Sequence, residues 1–264
     1  MTLRAAYWIS LLSICLLSPY ILSLYTRMSS PAISLPDFKK PNGVGDKFDP
    51  DGTVLPFQGN TIQSPLPESS KLYASLLVLY ERLKKSRLAK HYALLPPSSW
   101  HMTVFEGVTP REKKPGYWPD DLGQNASIAD CTALFLEKLG SFDLATELPF
   151  HMTVVGYTKA GLGLHVVPHE RDVAQIRDLR DRLSSLLHIR HADHDRYGLH
   201  ISLAYVMKAM DDGQRAELHG ILTDHFSRMP KEFELGAPEF STFEDMYAFK
   251  PILTLKNLGK STSE

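Results

Sequence analysis

The stretch "SSWHMTVFEGV", residues 98–108, places His101 two positions before Thr103 at the head of an apolar run. The same tripeptide returns as His151-Met152-Thr153 in "LPFHMTVVGY", and a relative, His200-Ile201-Ser202, sits in "YGLHISLAYV". Each run reads as a strand. A strand sends alternate side chains to one face, so the imidazole and the hydroxyl of a cassette point the same way, about 7 Å apart. The middle residue, Met102 or Ile201, turns to the opposite face and is expected in the core.

Outward from these runs, helices and strands alternate. "GNTIQS" (59–64) reads as a short strand. Over residues 69–89, Leu72, Leu76, Leu79, Tyr80 and Leu83 recur at helical spacing, with Ser69 or Ser70 as N-cap. Residues 127–139 predict a second helix ended by Gly140. "LPFHMTVVGY" and "GLGLHVVP" form a hairpin around Lys159-Ala160-Gly161. Pro168 opens a helix over about 170–188, with Val173, Ile176, Leu179, Leu183, Leu186 and Leu187 along one side. A further helix at 211–228 and closing strands within 232–255 complete the pattern, and "TFEDMYAF" (242–249) reads as core. Hairpin-like joins mixed with helices point to the α+β class with a largely antiparallel sheet.

With 264 residues, 43% of them hydrophobic, and a formal net charge of -1, the chain has room for one sizeable domain or two small ones. The neutral balance leaves no broad footprint for extended duplex nucleic acid, whereas a small anionic substrate or an RNA end needs only a few local donors. Cys15 and Cys131 offer neither a CxxC pair nor a zinc spacing. From Ala5 to Tyr25 there are 21 residues without a charge, flanked by Arg4 and Arg27. That length just spans a hydrocarbon core, and Trp8–Leu17 has the length of a signal-peptide apolar region. Residues 1–27 are therefore expected to be a signal anchor or a cleaved signal peptide. The domain would be membrane-anchored and lumenal or extracellular, or secreted, and Asn125-Ala126-Ser127 is an acceptor sequon compatible with that. Residues 28–50, rich in Ser, Pro, Gly, Asp and Lys, read as a linker, and 51–258 as the folded domain of a monomer.

Two His-x-hydroxyl strands facing one cleft can do what one cannot. One neutral imidazole takes a proton from the attacking hydroxyl, one imidazolium protonates the leaving oxygen, and the hydroxyls donate hydrogen bonds to phosphoryl oxygens. No step needs a metal, and no ligand spacing demands one.

The pair "HMTVFEGV" and "HISLAYV" resembles the motifs of the two-histidine (2H) phosphoesterase superfamily, which includes RNA 2′,3′-cyclic phosphodiesterases and 2′,5′ RNA ligase-like proteins. The resemblance covers most of 55–250. It implies two pseudo-symmetric α/β lobes, with largely antiparallel sheets, flanking a central cleft to which each lobe brings one motif. Carried over, His101 and His200 match the catalytic histidines, and Thr103 and Ser202 the phosphate-binding hydroxyls. The implied activity is metal-independent, cofactor-free hydrolysis of a cyclic phosphate or 2′-linked phosphodiester of a nucleotide or RNA end. The insert "VTPREKKPGYWPDDLGQNA" (108–126) departs from compact members and points to a specialised branch. A catalytically idle, membrane-tethered binding protein for a phosphorylated ligand is the competing reading; retention of both complete motifs argues against it.

The middle cassette is expected to be structural. "HMTVVGY" reaches the Gly161 turn within ten residues, and the superfamily places no catalytic histidine on the hairpin that precedes the second motif. Arg111, Lys113 and Lys114 read as a solvated loop, Asn60 as a strand-end or cleft residue, and Tyr205 as facing away from His200 in a regular strand. His188, His191 and His194, beside Asp193 and Asp195, read as a polar loop rather than a metal site.

Overall fold

A computed structural model of the chain describes residues 33–259. Strand β1 (Gly59–Pro65) leads into helix α1 (Lys71–Lys84), whose Ser70 side chain accepts from the Tyr73 amide. Leu72, Leu76, Leu79 and Leu83 form its buried stripe. Strands β2 (Tyr92–Leu94) and β3 (His101–Glu106) follow, then helix α2 (Ile128–Gly140), opened by a Ser127–Asp130 capping box. The hairpin β4 (Phe150–Tyr157) and β5 (Leu162–Pro168) turns at Gly161, whose φ of 76° suits glycine. Helix α3 (Glu170–Leu187), strand β6 (His200–Val206), helix α4 (Asp212–Arg228) and strands β7 (Glu232–Leu235), β8 (Glu239–Phe243) and β9 (Lys250–Thr254) complete the order.

The strands build one sheet in the order β7-β4-β5-β6-β3-β1-β8-β9, with β2 also on β6, and every pair is antiparallel. Read outward from the middle, β3-β1-β8-β9 mirrors β6-β5-β4-β7. The two predicted lobes are therefore halves of one α+β sheet, joined where the motif strands meet. Helix α3 packs on β3 and β5, and α2 on β1. Met102, Val104, Ile201 and Leu203 point into this core and are essentially inaccessible.

Two expectations change. Residues 34–50, read as part of a linker, lie against the sheet: Phe38 joins the main core, and Phe48 packs with Leu95, Met207, Phe243 and Met246 in a smaller one. The turn-forming residues here fold a segment that aromatic anchors then bury. On α3, Val173 is exposed and Asp172 buried, because Asp172 accepts a hydrogen bond from the His151 amide. Among the described residues no helix is long and apolar enough to cross a membrane; the segment 1–27 lies outside them.

Candidate active site

Met102 of β3 lies directly opposite Ile201 of β6. Stepping one residue along this antiparallel ladder puts Ser202 opposite His101, and His200 opposite Thr103. The four motif side chains thus share one face of two neighbouring strands, each histidine facing the other motif's hydroxyl. The two histidines occupy a diagonal, where neighbouring residues stand about 7–8 Å apart, within reach of long side chains. All four line a cleft of about 860 Å³.

The rings are held alike. His101 Nδ1 lies 2.7 Å from the Ser99 carbonyl oxygen, and His200 Nδ1 lies 2.8 Å from that of Gly198. A carbonyl only accepts, so Nδ1 must carry the proton in both, and Nε2 is left as the atom that exchanges protons. Burial pushes the His101 imidazole down to about 4, opposed by the Ser99 carbonyl and assisted by the His200 charge. Phe249 packs edge-on against His101, with ring centroids 4.3 Å apart. That residue, expected in the core, belongs to the cleft wall. Burial also holds the Tyr197 phenol well above its usual range, and its hydroxyl meets the Thr103 side chain.

Both motif strands break regularity immediately after the hydroxyl. Opposite β1, residue 104 is extra between the Gln63–Thr103 and Ile62–Phe105 pairs; opposite β5, residue 203 is extra between Gly163–Ser202 and Leu162–Ala204. These two bulges flip the side-chain parity downstream. Glu106 and Tyr205 therefore join the motif face and line the cleft, each five positions after its histidine. Tyr205 was expected to point away; the bulge at Leu203 reverses it. The shared offset of five is the only mark these residues leave in the sequence.

The insert forms a wall. The Arg190 amide donates to the Gly116 carbonyl at 2.9 Å, and Tyr117 stacks on His191 with centroids 4.3 Å apart. Tyr117 and Arg111 line the cleft, so Arg111 does reach it. Lys113 instead donates to the Gln124 and Ala126 carbonyls, and Lys114 pairs with Glu112. Asn60 lines the cleft and is also held structurally: its amide nitrogen donates to Thr132 Oγ1, and its oxygen accepts from the Val108 amide.

His188, His191 and His194 do not converge. His188 pairs with Asp121 and His194 with Asp181, while His191 meets Glu106 at the cleft. Glu106, His191 and Asp193 could offer a cation three ligand atoms within 4.8 Å of one another, as could Asp181, His194 and Asp195. The middle cassette lies elsewhere, on β4, separated from β6 by β5. His151 sits 3.3 Å from Asp172 and 3.4 Å from Glu234, and Thr153 donates to Glu232.

A bulged antiparallel sheet presenting paired His-x-hydroxyl strands to one cleft is a two-histidine phosphoesterase scaffold. Residues 47–163 match the family model described as 2H-phosphodiest, a domain of unknown function (DUF1868). The solved structure of ATU0111, a conserved protein of unknown function from Agrobacterium tumefaciens, is similar with a TM-score of 0.75 and 27% identity, over 81% of this chain and 93% of that one. Uncharacterized protein 127L of Invertebrate iridescent virus 6 is 25% identical over 197 residues, covering 67% of this chain and 80% of the viral protein. The matched residues and the similar solved structure support a phosphodiesterase-type scaffold of the 2H phosphoesterase superfamily.

Proposed function

We propose that the cleft hydrolyses a cyclic phosphate or 2′-linked phosphodiester of a nucleotide or RNA end, without a metal. The observation that carries this reading is the diagonal pair of histidines sharing one face of the motif strands with two hydroxyls. Thr103 and Ser202 donate to the non-bridging phosphoryl oxygens. His101, held neutral by burial, takes a proton from the attacking water as its oxygen bonds to phosphorus. His200, entering as imidazolium, gives its Nε2 proton to the ribose oxygen as that P–O bond breaks. The proton count closes: His101 ends charged, His200 neutral, and exchange with water resets both.

The aromatic wall of Tyr117, Phe57 and Phe249 supports a nucleoside as the group carried by the phosphate. The test is a turnover panel of 2′,3′-cyclic nucleotides and 2′,5′-linked dinucleotides, with and without chelator, on wild type and histidine variants. No turnover of any of them, or turnover abolished by chelation, overturns the reading. We also propose residues 1–27 as the signal anchor or signal peptide; N-terminal sequencing of the mature protein distinguishes an intact from a cleaved segment.

A further inference from the structure

Beyond the histidines, the cleft continues to a positively charged end built by the N-terminal segment. Lys47 Nζ donates to the Tyr205 hydroxyl at 2.9 Å. The same ammonium stands 4.8 Å from the centroid of the Tyr205 ring and 5.1 Å from that of Phe57. Its backbone is fastened as well: the Lys47 amide donates to the Gly43 carbonyl, and the Leu55 amide to the Lys47 carbonyl. Next to it, Phe48 is fully buried against Tyr205 and Tyr247. Asn42 clamps the segment to the motif strand, donating its amide to the Val206 carbonyl and accepting from the Val206 amide at 2.6 Å. Lys47 is thus preorganised on both its backbone and its head group, a costly arrangement for a flexible side chain unless its position is used.

The charges at this end do not balance. Asp46 is taken by Arg111, whose guanidinium lies 4.9 Å from the same Phe57 ring, and Glu112 by Lys114. Among the described residues no carboxylate lies within ion-pair distance of Lys47. Tyr205 uses one of three ammonium donors, and the ring faces attract the cation without neutralising it. Two cations share one aromatic ring, with one carboxylate between them. Tyr205 itself reaches the cleft only through the bulge after Ser202, about 10 Å further along the strand. That is a span the two ends of one nucleotide can bridge.

We propose that Lys47, flanked by Arg111, is a second anion-binding position, and that the substrate is a phosphodiester carrying a further phosphate group. This deepens the phosphodiesterase reading and rests on it for the first phosphate alone. Calorimetry of the full chain with adenosine 2′-monophosphate and adenosine 2′,5′-bisphosphate tests it without requiring turnover. Wild type binds the bisphosphate roughly tenfold or more tightly, the scale of one charge-assisted hydrogen bond. Lys47→Met, which keeps an unbranched side chain on the two rings, brings the ratio close to one; Lys47→Arg keeps most of it. Arg111→Met, removing the flanking cation, lowers the ratio in the same direction, and it decides the matter if Lys47→Met does not fold. Equal affinities in wild type, no binding of either nucleotide, or an unchanged ratio in Lys47→Met or Arg111→Met overturns the proposal. Wild type that shows the ratio but hydrolyses neither cyclic nucleotides nor dinucleotides refutes the phosphodiesterase reading and leaves the second anion position standing.

Discussion

Arg180 of α3 donates through Nη1 to the Val104 carbonyl at 2.5 Å, and Val104 is the extra residue of the β3 bulge. A bulge takes one residue out of the ladder and leaves its backbone groups to find other partners. A buried guanidinium supplies one here, while its Nη2 donates to the His194 carbonyl at 3.1 Å and its plane lies over Tyr197. One helical side chain thereby braces the bulge that turns Glu106 into the cleft, the loop behind His191, and the tyrosine beside Thr103. Arg180→Met removes the donors and leaves two buried carbonyls unsatisfied. We expect it to lower stability by about 2–4 kcal/mol, read as a shifted denaturant midpoint at unchanged slope. Arg180→Lys should not restore it, because a single ammonium cannot reach both carbonyls and lie flat on the ring.

The three His-x-hydroxyl strands make a second prediction. His101→Ala and His200→Ala should each lower kcat/KM by about 10²–10⁴, the usual weight of a positioned proton donor or acceptor. His151→Ala, whose ring is engaged by Asp172 and Glu234, should stay within about threefold of wild type. Turnover by the His101→Ala/His200→Ala double variant at the wild-type rate is the result that cannot be reconciled with this site.

The low His101 value has a direction that can be checked by pH. A base must be unprotonated, and burial keeps His101 neutral until the pH falls to about 4. The acid limb of kcat/KM should therefore lie near 4 and not near the value of about 6.5 for an unperturbed imidazole. Stability moves in the same sense. The unfolded chain takes up this proton near 6.5 and the folded chain only near 4, so between these values the unfolded state binds more protons and stability drops as pH is lowered. An NMR titration of the His101 ring carbon that inflects near 6.5 would sink the assignment.

Gly163 tests how closely the motif strand is held. It lies on β5 opposite Ser202, and a Cβ there would stand 2.7 Å from the Ile201 carbonyl oxygen. Because the clash is with backbone, β5 and β6 must separate for Gly163→Ala to be accommodated. We expect a loss of about 1–3 kcal/mol in stability together with reduced turnover. A variant with unchanged midpoint and activity would show that the two strands have room to shift.

The local periods of the chain determined the elements and the paired His-x-hydroxyl strands. Period two in "HMTVFE" and "HISL", and period three to four in 72–83 and 176–187, place Met102, Ile201, Leu76 and Leu183 in the core, as the sheet and helices bear out. Those patterns act over a few residues, so they survive in sequence. The nearby Gly161 turn already set His151 apart from its twin tripeptide at 101, but its partners lie at a distance: Asp172 on α3 and Glu234 on β7 meet it only once the sheet has formed. The same holds for Tyr205 and Glu106. A bulge is a mismatch between two strands, and neither strand alone records that one residue is extra. Phe48 and Lys47 sit in a stretch whose composition suits a linker, and only docking onto β6 turns them into anchor and cation. Side-chain identity and spacing supplied the imidazoles and hydroxyls of "SSWHMTVFEGV" and "YGLHISLAYV"; register, bulges and partners brought from far along the chain decided what stands around them.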